Sequence, residues 1–116
     1  MSVIDLAEKL DAVHAHWQPH IVGSFNGHDL MVVKVEGEFV WHDHADTDDF
    51  FMVLKGKLMI DMPGETVTML PGQIYVVPRG RQHRPRADGE THLLIIEPAG
   101  TPNTGDAGTA VAKVRL

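Results

Sequence analysis

Three histidines and one aspartate of this chain have the residue types and spacing of a metal site. His42 and His44 stand close together, Asp49 follows them, and His83 ends a Pro-x-Gly-x-x-His sequence further along. Imidazole nitrogens and a carboxylate oxygen suit a divalent Fe, Mn, Ni, Zn or Cu ion, so the sequence predicts a divalent transition-metal site without specifying the metal. Four protein ligands leave up to two positions of an octahedral shell open, and a catalyst needs such openings for substrate or dioxygen.

Short strands can bring these four side chains together. Alternate side chains of a strand share a face, so a predicted strand over 39–44 directs both His42 and His44 to one side. Asp49 opens the next predicted strand, and His83 arrives on another after a turn set by proline and glycine. If these strands line one barrel, the four groups converge. The alternative is that, in a chain with 8 histidines, the His-x-His pattern decorates the surface or the core.

The pair His14 and His16 has the same spacing in a different setting. Apolar residues recur at helical spacing over residues 2–16, which predicts an amphipathic helix. On a helix, positions i and i+2 lie about 200° apart, so these two imidazoles cannot share a metal ion. We therefore predict that neither is a ligand. The helix, which Pro19 ends, must bury its apolar stripe against the barrel or a partner subunit.

The rest of the chain alternates short apolar runs with turn residues, a pattern typical of a β-sandwich or barrel. A two-residue hairpin turn is predicted at Lys55-Gly56, and another turn at Pro71-Gly72. The predicted strands cover residues 30–35, 39–44, 50–54, 58–62, 66–70, 74–77, 91–97 and 110–116. The chain is divided into a helix with its lead-in, a β-barrel, and a loop with a C-terminal strand or tail, over 1–22, 23–97 and 98–116.

Length, composition and charge limit the class of protein. The 116 residues suffice for one domain with a substantial core. The formal charge of −6 argues against nucleic acid as a partner, since phosphates attract clustered cations. Cysteine is absent from the sequence, which excludes disulfides, thiolate zinc sites and thiol catalysis. The charged N-terminus is unlike a signal peptide and no run is long enough to cross a bilayer, so we expect a cytoplasmic protein.

The same residues resemble the two sequence motifs of the cupin superfamily. The first motif places His-x-His and an acidic residue between two glycines, here Gly37 and Gly56, and the second motif is matched from Gly72 to His83. The acidic residue of the motif is usually glutamate, whereas this chain has the shorter Asp49. Either the strand moves inward, the metal sits off-centre, or a water bridges the gap. Asp48 is a fallback ligand, although its side chain should face outward.

The resemblance covers residues 30–97 and implies an all-β fold, a cupin-type jelly-roll barrel of two antiparallel sheets, here with a short N-terminal helix. It also implies a homodimer with a metal ion inside the barrel, held by His42, His44, Asp49 and His83. Cupins include dioxygenases and isomerases, so we expect a small metalloenzyme of either type acting on a small organic substrate. The alternative is a non-catalytic module that binds or senses a small ligand.

The motifs do not specify catalytic residues, and Tyr75, Arg81 and His92 are candidates. Tyr75 is a proton donor if its strand face points inward, and otherwise a wall residue. His92 alternates with two apolar residues, so it either enters the barrel or lies partly exposed. Arg81 belongs to an arginine cluster that either clamps an anionic substrate or, as we favour, pairs with Asp43, Asp46 and Asp48 or is solvated. The cluster consists of Arg79, Arg81, Arg84 and Arg86.

Overall fold

Eight strands and one short helix make up the protein in a computed structural model that describes residues 2–116. The prediction of an all-β barrel with a short N-terminal helix is confirmed. The elements are α1 (Leu6–Leu10), β1 (His20–Phe25), β2 (His28–Glu38), β3 (Asp49–Lys55), β4 (Leu58–Met62), β5 (Glu65–Met69), β6 (Ile74–Val77), β7 (Arg84–Pro98) and β8 (Val114–Arg115).

Strand β7 organises the barrel because it pairs on both of its edges. One edge pairs with β2 in antiparallel register, from Pro98 opposite His28 to Arg86 opposite Glu38. The other edge pairs with β4 near its start and with β3 near its end. Strand β6 pairs with β3, while β5 continues the sheet beyond β4 and β1 continues it beyond β2. Strands β1 to β7 all contribute buried side chains to one apolar core.

Alternation of inward and outward side chains builds this core. In β3, Asp49, Phe51 and Val53 are buried and the residues between them are half-buried, which confirms the predicted inward face. In β7, the buried positions include Leu93 and, two residues after Ile95, the acidic Glu97. Full burial of an aliphatic side chain such as Leu93 stabilises the fold by about 1.5–3 kcal/mol. Asp49 and Glu97 therefore place a carboxyl group at one end of each of these two buried rows.

The N-terminal helix is shorter than the predicted span of 2–16. The side chain of Asp5 caps it by accepting hydrogen bonds from the amides of Ala7 and Glu8 at 3.0 and 3.3 Å. A helix of this length is unstable alone and depends on packing. Leu10 and Val13 are buried against the outside of the sheet, in a second apolar cluster with Val22 and Val32. The chain leaves the helical path after Leu10, and this directs Val13 onto the sheet.

The predicted strand over 39–44 is wrong, because the residues after β2 form no regular ladder in the described chain. The register between β2 and β7 shifts just before Gly37, whose φ angle is 79°. The ladder ends at Glu38, opposite Arg86, and beyond it isolated hydrogen bonds hold the chain, including one from the His42 amide to the His83 carbonyl at 3.0 Å. Val40, which was expected to face inward with His42, is 52% exposed.

The predicted hairpin at Lys55-Gly56 is also wrong. Strands β3 and β4 flank this connection, but each pairs with β7 and not with the other. Gly56 has a φ angle of 92° and passes so close to β7 that a Cβ atom there would lie 2.5 Å from Thr91 Oγ1. Glycine therefore lets the chain pass close to β7 as it moves from pairing with the end of that strand to pairing with its start. The turn predicted at Pro71-Gly72 is present.

The C-terminal segment returns to the barrel as an edge strand. Strand β8 pairs in parallel with β1, with Val114 opposite His20. It is shorter than the predicted 110–116, because two residues pair. Strand β1 was not predicted, since Gly23 interrupts its apolar pattern. The division at 1–22, 23–97 and 98–116 stays a prediction.

No helix within residues 2–116 has the length and apolar character that a membrane span requires.

Candidate metal centre

The four predicted ligands meet inside the barrel. His42, His44, Asp49 and His83 each offer one ligand atom, and these atoms lie within 4.8 Å of one another. All four residues are buried, with exposed fractions of 7%, 5%, 4% and 1% in that order. The convergence predicted from the sequence therefore forms, although the segment carrying the first two histidines is a loop and not a strand.

His42 and His83 are held side by side by their own backbones. Each donates its amide hydrogen to the carbonyl of the other, at 3.0 and 2.9 Å. Their side chains are oriented by a shared device: Nδ1 of His42 lies 2.9 Å from the Val40 carbonyl, and Nδ1 of His83 lies 2.8 Å from the Arg81 carbonyl. Because a carbonyl can only accept, each Nδ1 carries the hydrogen. Nε2 of His42 is left with a free lone pair, the arrangement typical of metal-binding histidines, and Nε2 of His83 is directed at Asp49 Oδ2.

His44 is fixed by its backbone but not by its ring. Its carbonyl accepts a hydrogen bond from the Gly80 amide at 2.8 Å. Its ring nitrogens are buried and have no hydrogen-bond partner among residues 2–116. Nε2 lies 3.3 Å from Asp49 Oδ2, but the two groups are not aligned for a hydrogen bond. An unsatisfied buried polar atom costs about 1–3 kcal/mol, and a bound cation would remove that cost for one nitrogen.

Asp49 supplies the one carboxylate of the four-residue group. It is directed into the barrel because it opens β3 on the inward face. Its Oδ2 lies 2.8 Å from Nε2 of His83 and 3.3 Å from Nε2 of His44. Burial alone raises the pKa of this carboxyl, but the two imidazoles outweigh burial and hold the pKa below its ordinary value. The neighbouring Asp48 faces outward as predicted, where it accepts a hydrogen bond from the Arg79 amide at 3.0 Å.

The protonation of the imidazoles also follows from their surroundings. Burial, only partly opposed by the hydrogen bond to the Val40 carbonyl, lowers the pKa of His42 to about 4. Its ring is therefore neutral near pH 7, the form that binds metal ions. For His44, burial lowers the pKa but the nearby carboxylate of Asp49 raises it, and the net shift is upward.

The residues present fit a divalent transition-metal ion. Neighbouring ligands of an octahedral ion at about 2.1 Å are separated by about 3.0 Å. The separations of 2.8 and 3.3 Å around Asp49 Oδ2 bracket that value. Three imidazoles with one carboxylate form a donor set for Fe, Mn, Ni, Zn or Cu. The four residues could therefore hold a metal ion, whose identity the donor set does not determine.

A narrow cavity of about 40 Å³ adjoins this group. Most of its wall is aliphatic or aromatic. Trp17 and Phe39 stack on each other with ring centroids 4.9 Å apart, and both are half-buried, so they mark the mouth. Trp17 has an unusual positive φ of 63°, and its indole N–H donates to the Glu36 carbonyl at 2.8 Å. The lining residues are Trp17, Pro19, Val33, Val35, Phe39, His42, Asp49, Phe51, Pro85, Leu93, Ile95, Glu97 and Asn103.

Glu97 also lines the cavity, although it was not predicted from the sequence as a site residue. It is 3% exposed, and its Oε2 has no hydrogen-bond partner among the described residues. Lys113 Nζ lies 3.8 Å away, and burial is the main reason that the pKa of Glu97 rises to about 7. The signal was available: Leu93, Ile95 and Glu97 alternate along one predicted strand, so an acidic residue stood on its apolar face.

The three catalytic candidates from the sequence lie elsewhere. The Tyr75 hydroxyl is 3.9 Å from Met62 Sδ, and Tyr75 packs against the core as a wall residue. Arg81 donates to the Pro63 carbonyl at 3.0 Å. His92 is on the outward row of β7, 3.1 Å from Glu90, and does not enter the barrel. None of the three is among the residues that line the cavity in the described chain.

His16 and the arginine cluster have acidic partners. His16, predicted not to be a ligand, lies 3.0 Å from a Glu90 carboxylate oxygen. The arginine cluster is paired with acids, as favoured, but mostly with different acids from those expected. Arg86 donates to Asp61 at 2.8 Å and holds the pKa of that carboxyl at about 2. The remaining pairs are Arg79 with Asp48, Arg81 with Glu65, and Arg84 with Asp61 and Glu38.

The sequence is similar to one known protein family and to individual members of known proteomes. A family model described as a cupin domain matches residues 29–97. The uncharacterized protein YdbB of Bacillus subtilis (strain 168) is 30% identical over 97 residues, which cover 83% of each chain.

Two solved structures are also similar. One is a cupin-2 domain containing protein from Shewanella frigidimarina, 43% identical with a TM-score of 0.82, covering 83% of this chain and 94% of that one. The other is hydroquinone 1,2-dioxygenase from Sphingomonas sp. TTNP3 with 4-hydroxybenzoate bound, with a TM-score of 0.77. It is 20% identical, and the match covers 85% of this chain but 32% of the dioxygenase, so this likeness concerns the fold alone.

Proposed function

The chain belongs to the cupin domain family, and we propose that it is a metal-dependent enzyme whose ion is held by His42, His44, Asp49 and His83. The observation that carries the proposal is the buried meeting of four ligand atoms within 4.8 Å, beside a cavity. A bound divalent ion supplies Lewis-acid polarisation of a substrate oxygen. The protein supplies two imidazole rings fixed by carbonyl groups, a buried carboxylate, and apolar walls that exclude water.

The chemistry of the cavity favours a small, uncharged aromatic substrate such as a phenol. The walls are mainly aliphatic and aromatic, and the charged groups among them, Asp49 and Glu97, are acidic. No arginine or lysine lines the cavity in the described chain to pair with a carboxylate or phosphate substrate. The arginines that could attract one are paired with other carboxylates. The anionic substrate considered from the sequence is therefore not the one we propose.

The aromatic pair at the mouth would position such a ring. Trp17 and Phe39 already stack on each other, and their exposed edges border the cavity. A volume of about 40 Å³ holds only a few water molecules. A phenol would therefore enter by moving one of these two side chains and would stack against them. Aromatic contacts of this kind stabilise a complex by about 0.5–1.5 kcal/mol beyond the area that they bury.

We favour a dioxygenase-type reaction over an isomerase-type reaction. The hydroquinone 1,2-dioxygenase that shares this fold pairs, by its name, a phenolic substrate with dioxygen chemistry. In such a reaction both atoms of one O2 enter one substrate molecule, so no further reductant is consumed. The open positions that four protein ligands leave would accommodate both reactants.

The experiment that tests this function is oxygen uptake by protein loaded with Fe(II) or Mn(II), with hydroquinone and catechol as substrates. We expect consumption of one O2 per substrate by the wild-type protein and none by His83→Ala. Asp48→Asn is the matched control, since Asp48 faces outward, and it should retain full uptake. Absence of uptake with every metal would contradict a dioxygenase.

A non-catalytic module that binds or senses a small ligand is the second candidate. The small volume of the cavity favours this second function. A ligand enclosed in a narrow cavity dissociates slowly, which suits binding but limits the exchange of substrate and product. In that case hydroquinone would raise the unfolding temperature of the metal-loaded protein without being consumed. Combined measurements of thermal shift and product formation separate the two functions.

We also propose that the protein is a homodimer in the cytoplasm. The outer face of the β6–β3–β7 sheet is apolar, and on it Ile74 and Val76 are 59% and 44% exposed. A contiguous apolar face of this kind is typical of a self-complementary interface. Sedimentation velocity should show a dimer that Ile74→Asp converts to a monomer, whereas Val3→Asp, on the exposed N-terminus, should not. Cell fractionation would test the location. The outward residues of this face are Phe50, Met52, Ile74, Val76, Leu94 and Ile96.

A further inference from the structure

Glu97 is a buried acid whose hydrogen-bonding capacity is unused. Its Oε2 has no hydrogen-bond partner within residues 2–116, and the residue is 3% exposed. It lines the same cavity as His42 and Asp49. Buried polar groups in native proteins are nearly always satisfied, so one that stays unpaired beside a cavity requires an explanation. A ligand in the cavity provides it.

The nearby lysine does not account for Glu97. Lys113 Nζ lies 3.8 Å from Glu97 Oε2 and 3.9 Å from Asp29 Oδ2, both beyond hydrogen-bond length. Asp29 and Glu97 are directly opposite each other in the β2–β7 ladder, so Lys113 balances the charge of two adjacent acids. It lowers the electrostatic cost of burying them but leaves the Glu97 oxygen free to accept a hydrogen bond.

We infer that Glu97 determines the substrate specificity of the cavity by accepting a hydrogen bond from a hydroxyl group of the ligand. The inference rests on the proposed function for the location of the substrate, and it extends that function to recognition. Glutamate retains an accepting oxygen whether or not it is ionised. Val33, Leu93 and Ile95, which line the same cavity, are apolar and cannot bind a hydroxyl. A ligand with an apolar ring and a hydroxyl therefore binds with the hydroxyl at Glu97.

Two probes of matched shape test this assignment. Hydroquinone and p-xylene have the same outline, but only hydroquinone carries hydroxyl hydrogens. Binding is measured calorimetrically under argon with Zn(II)-loaded protein, because zinc has no redox chemistry and turnover is prevented. We expect Glu97→Met to weaken hydroquinone binding by about tenfold or more, and to leave p-xylene binding unchanged. Glu97→Gln keeps an accepting oxygen and should retain most of the affinity.

Controls separate recognition from a structural role. Asp29→Asn removes the other acid beside Lys113, lies outside the cavity lining, and should leave the affinity for both probes unchanged. Zinc content and the unfolding temperature are recorded for each variant. Equal weakening of both probes by Glu97→Met would show a structural role and overturn the inference, as would unchanged hydroquinone binding or a wild-type protein that does not bind hydroquinone.

The outcome is distinguishable from that of the proposed function. Wild-type protein that binds hydroquinone through Glu97 but consumes no oxygen would support this inference and contradict the dioxygenase. Wild-type protein that consumes oxygen, with Glu97→Met showing an unchanged KM for hydroquinone, would support the dioxygenase and contradict this inference.

Discussion

The side chain of Asp49 is one methylene shorter than the glutamate usual in the cupin motif, yet it reaches the imidazoles of the candidate metal site. Its Oδ2 is 2.8 Å from Nε2 of His83 and 3.3 Å from Nε2 of His44. The reason is its position as the first residue of β3, whose inward row continues with Phe51. The Asp49 carboxylate therefore lies among the three imidazoles despite its shorter side chain.

Replacing Asp49 tests whether this carboxylate is a ligand. Asp49→Asn removes the charge but keeps the size, and we expect the affinity for Zn(II) to fall by at least about 10–100-fold, since even residues that merely support metal ligands have effects of that size. The measurement is competition with a chromophoric chelator. Asp48→Asn, which changes the adjacent outward acid, should bind as the wild-type protein does. Equal affinity of the two variants would contradict ligation by Asp49.

Elements were predicted well where a local pattern decides them. Strands β4 and β6 begin and end at the predicted residues, and the inward row of β3 follows its alternation. Pairing was not predictable, because it depends on contacts distant in sequence. The residues after β2 alternate like a strand, but the ladder with β7 ends at Glu38, and hydrogen bonds to Pro85 and His83 replace it. Likewise, the surroundings of Glu97 could not be predicted, because Lys113 and most of the cavity wall come from segments distant in sequence.

Gly56 is the residue through which the chain crosses from β3 to β4. With a φ of 92° and a hypothetical Cβ 2.5 Å from Thr91 Oγ1, Gly56→Ala adds both backbone strain and a clash. Gly37→Ala is the matched control, since its φ is 79° and nothing lies within 4 Å of its Cβ position. We expect the control to lose about 1–2 kcal/mol of unfolding free energy, and Gly56→Ala to lose about 1–3 kcal/mol more. Equal losses in urea unfolding would show that the close approach is unimportant.

Asp61 joins β4 to β7 through the guanidinium groups of Arg84 and Arg86. Hydrogen bonding to Arg86 is the main reason that the pKa of Asp61 is held at about 2, below its value of 3.8 in an unfolded chain. A depressed pKa stabilises the fold above pH 3.8, and the contribution is lost as the pH falls toward 2. The difference in unfolding free energy between wild-type protein and Asp61→Asn should therefore be largest above about pH 4 and shrink in acid. A pH-independent difference for Asp61→Asn would contradict the ion pairing.

At the scale of the whole molecule, the charged residues fall into two groups in different parts of the barrel. Arginines and their acidic partners lie toward the outside, whereas the interior holds three imidazoles with the carboxylates of Asp49 and Glu97. The net charge of −6 gives little information about this arrangement. The sequence motifs located the four candidate ligands, because their spacing depends on local turns. They did not reveal the aromatic mouth or Glu97, because Trp17 reaches the cavity, and Lys113 reaches Glu97, from segments distant in sequence.

The central claim is that His42, His44, Asp49 and His83 bind one divalent transition-metal ion in the barrel. Its most direct test is elemental analysis of the protein purified without chelators and reloaded with a single metal, alongside the variants His42→Ala, His83→Ala and His14→Ala. The account predicts about one ion per chain for the wild-type protein and for His14→Ala, and almost none for the other two variants. A wild-type protein that takes up no metal, or variants that retain a full complement, would contradict it.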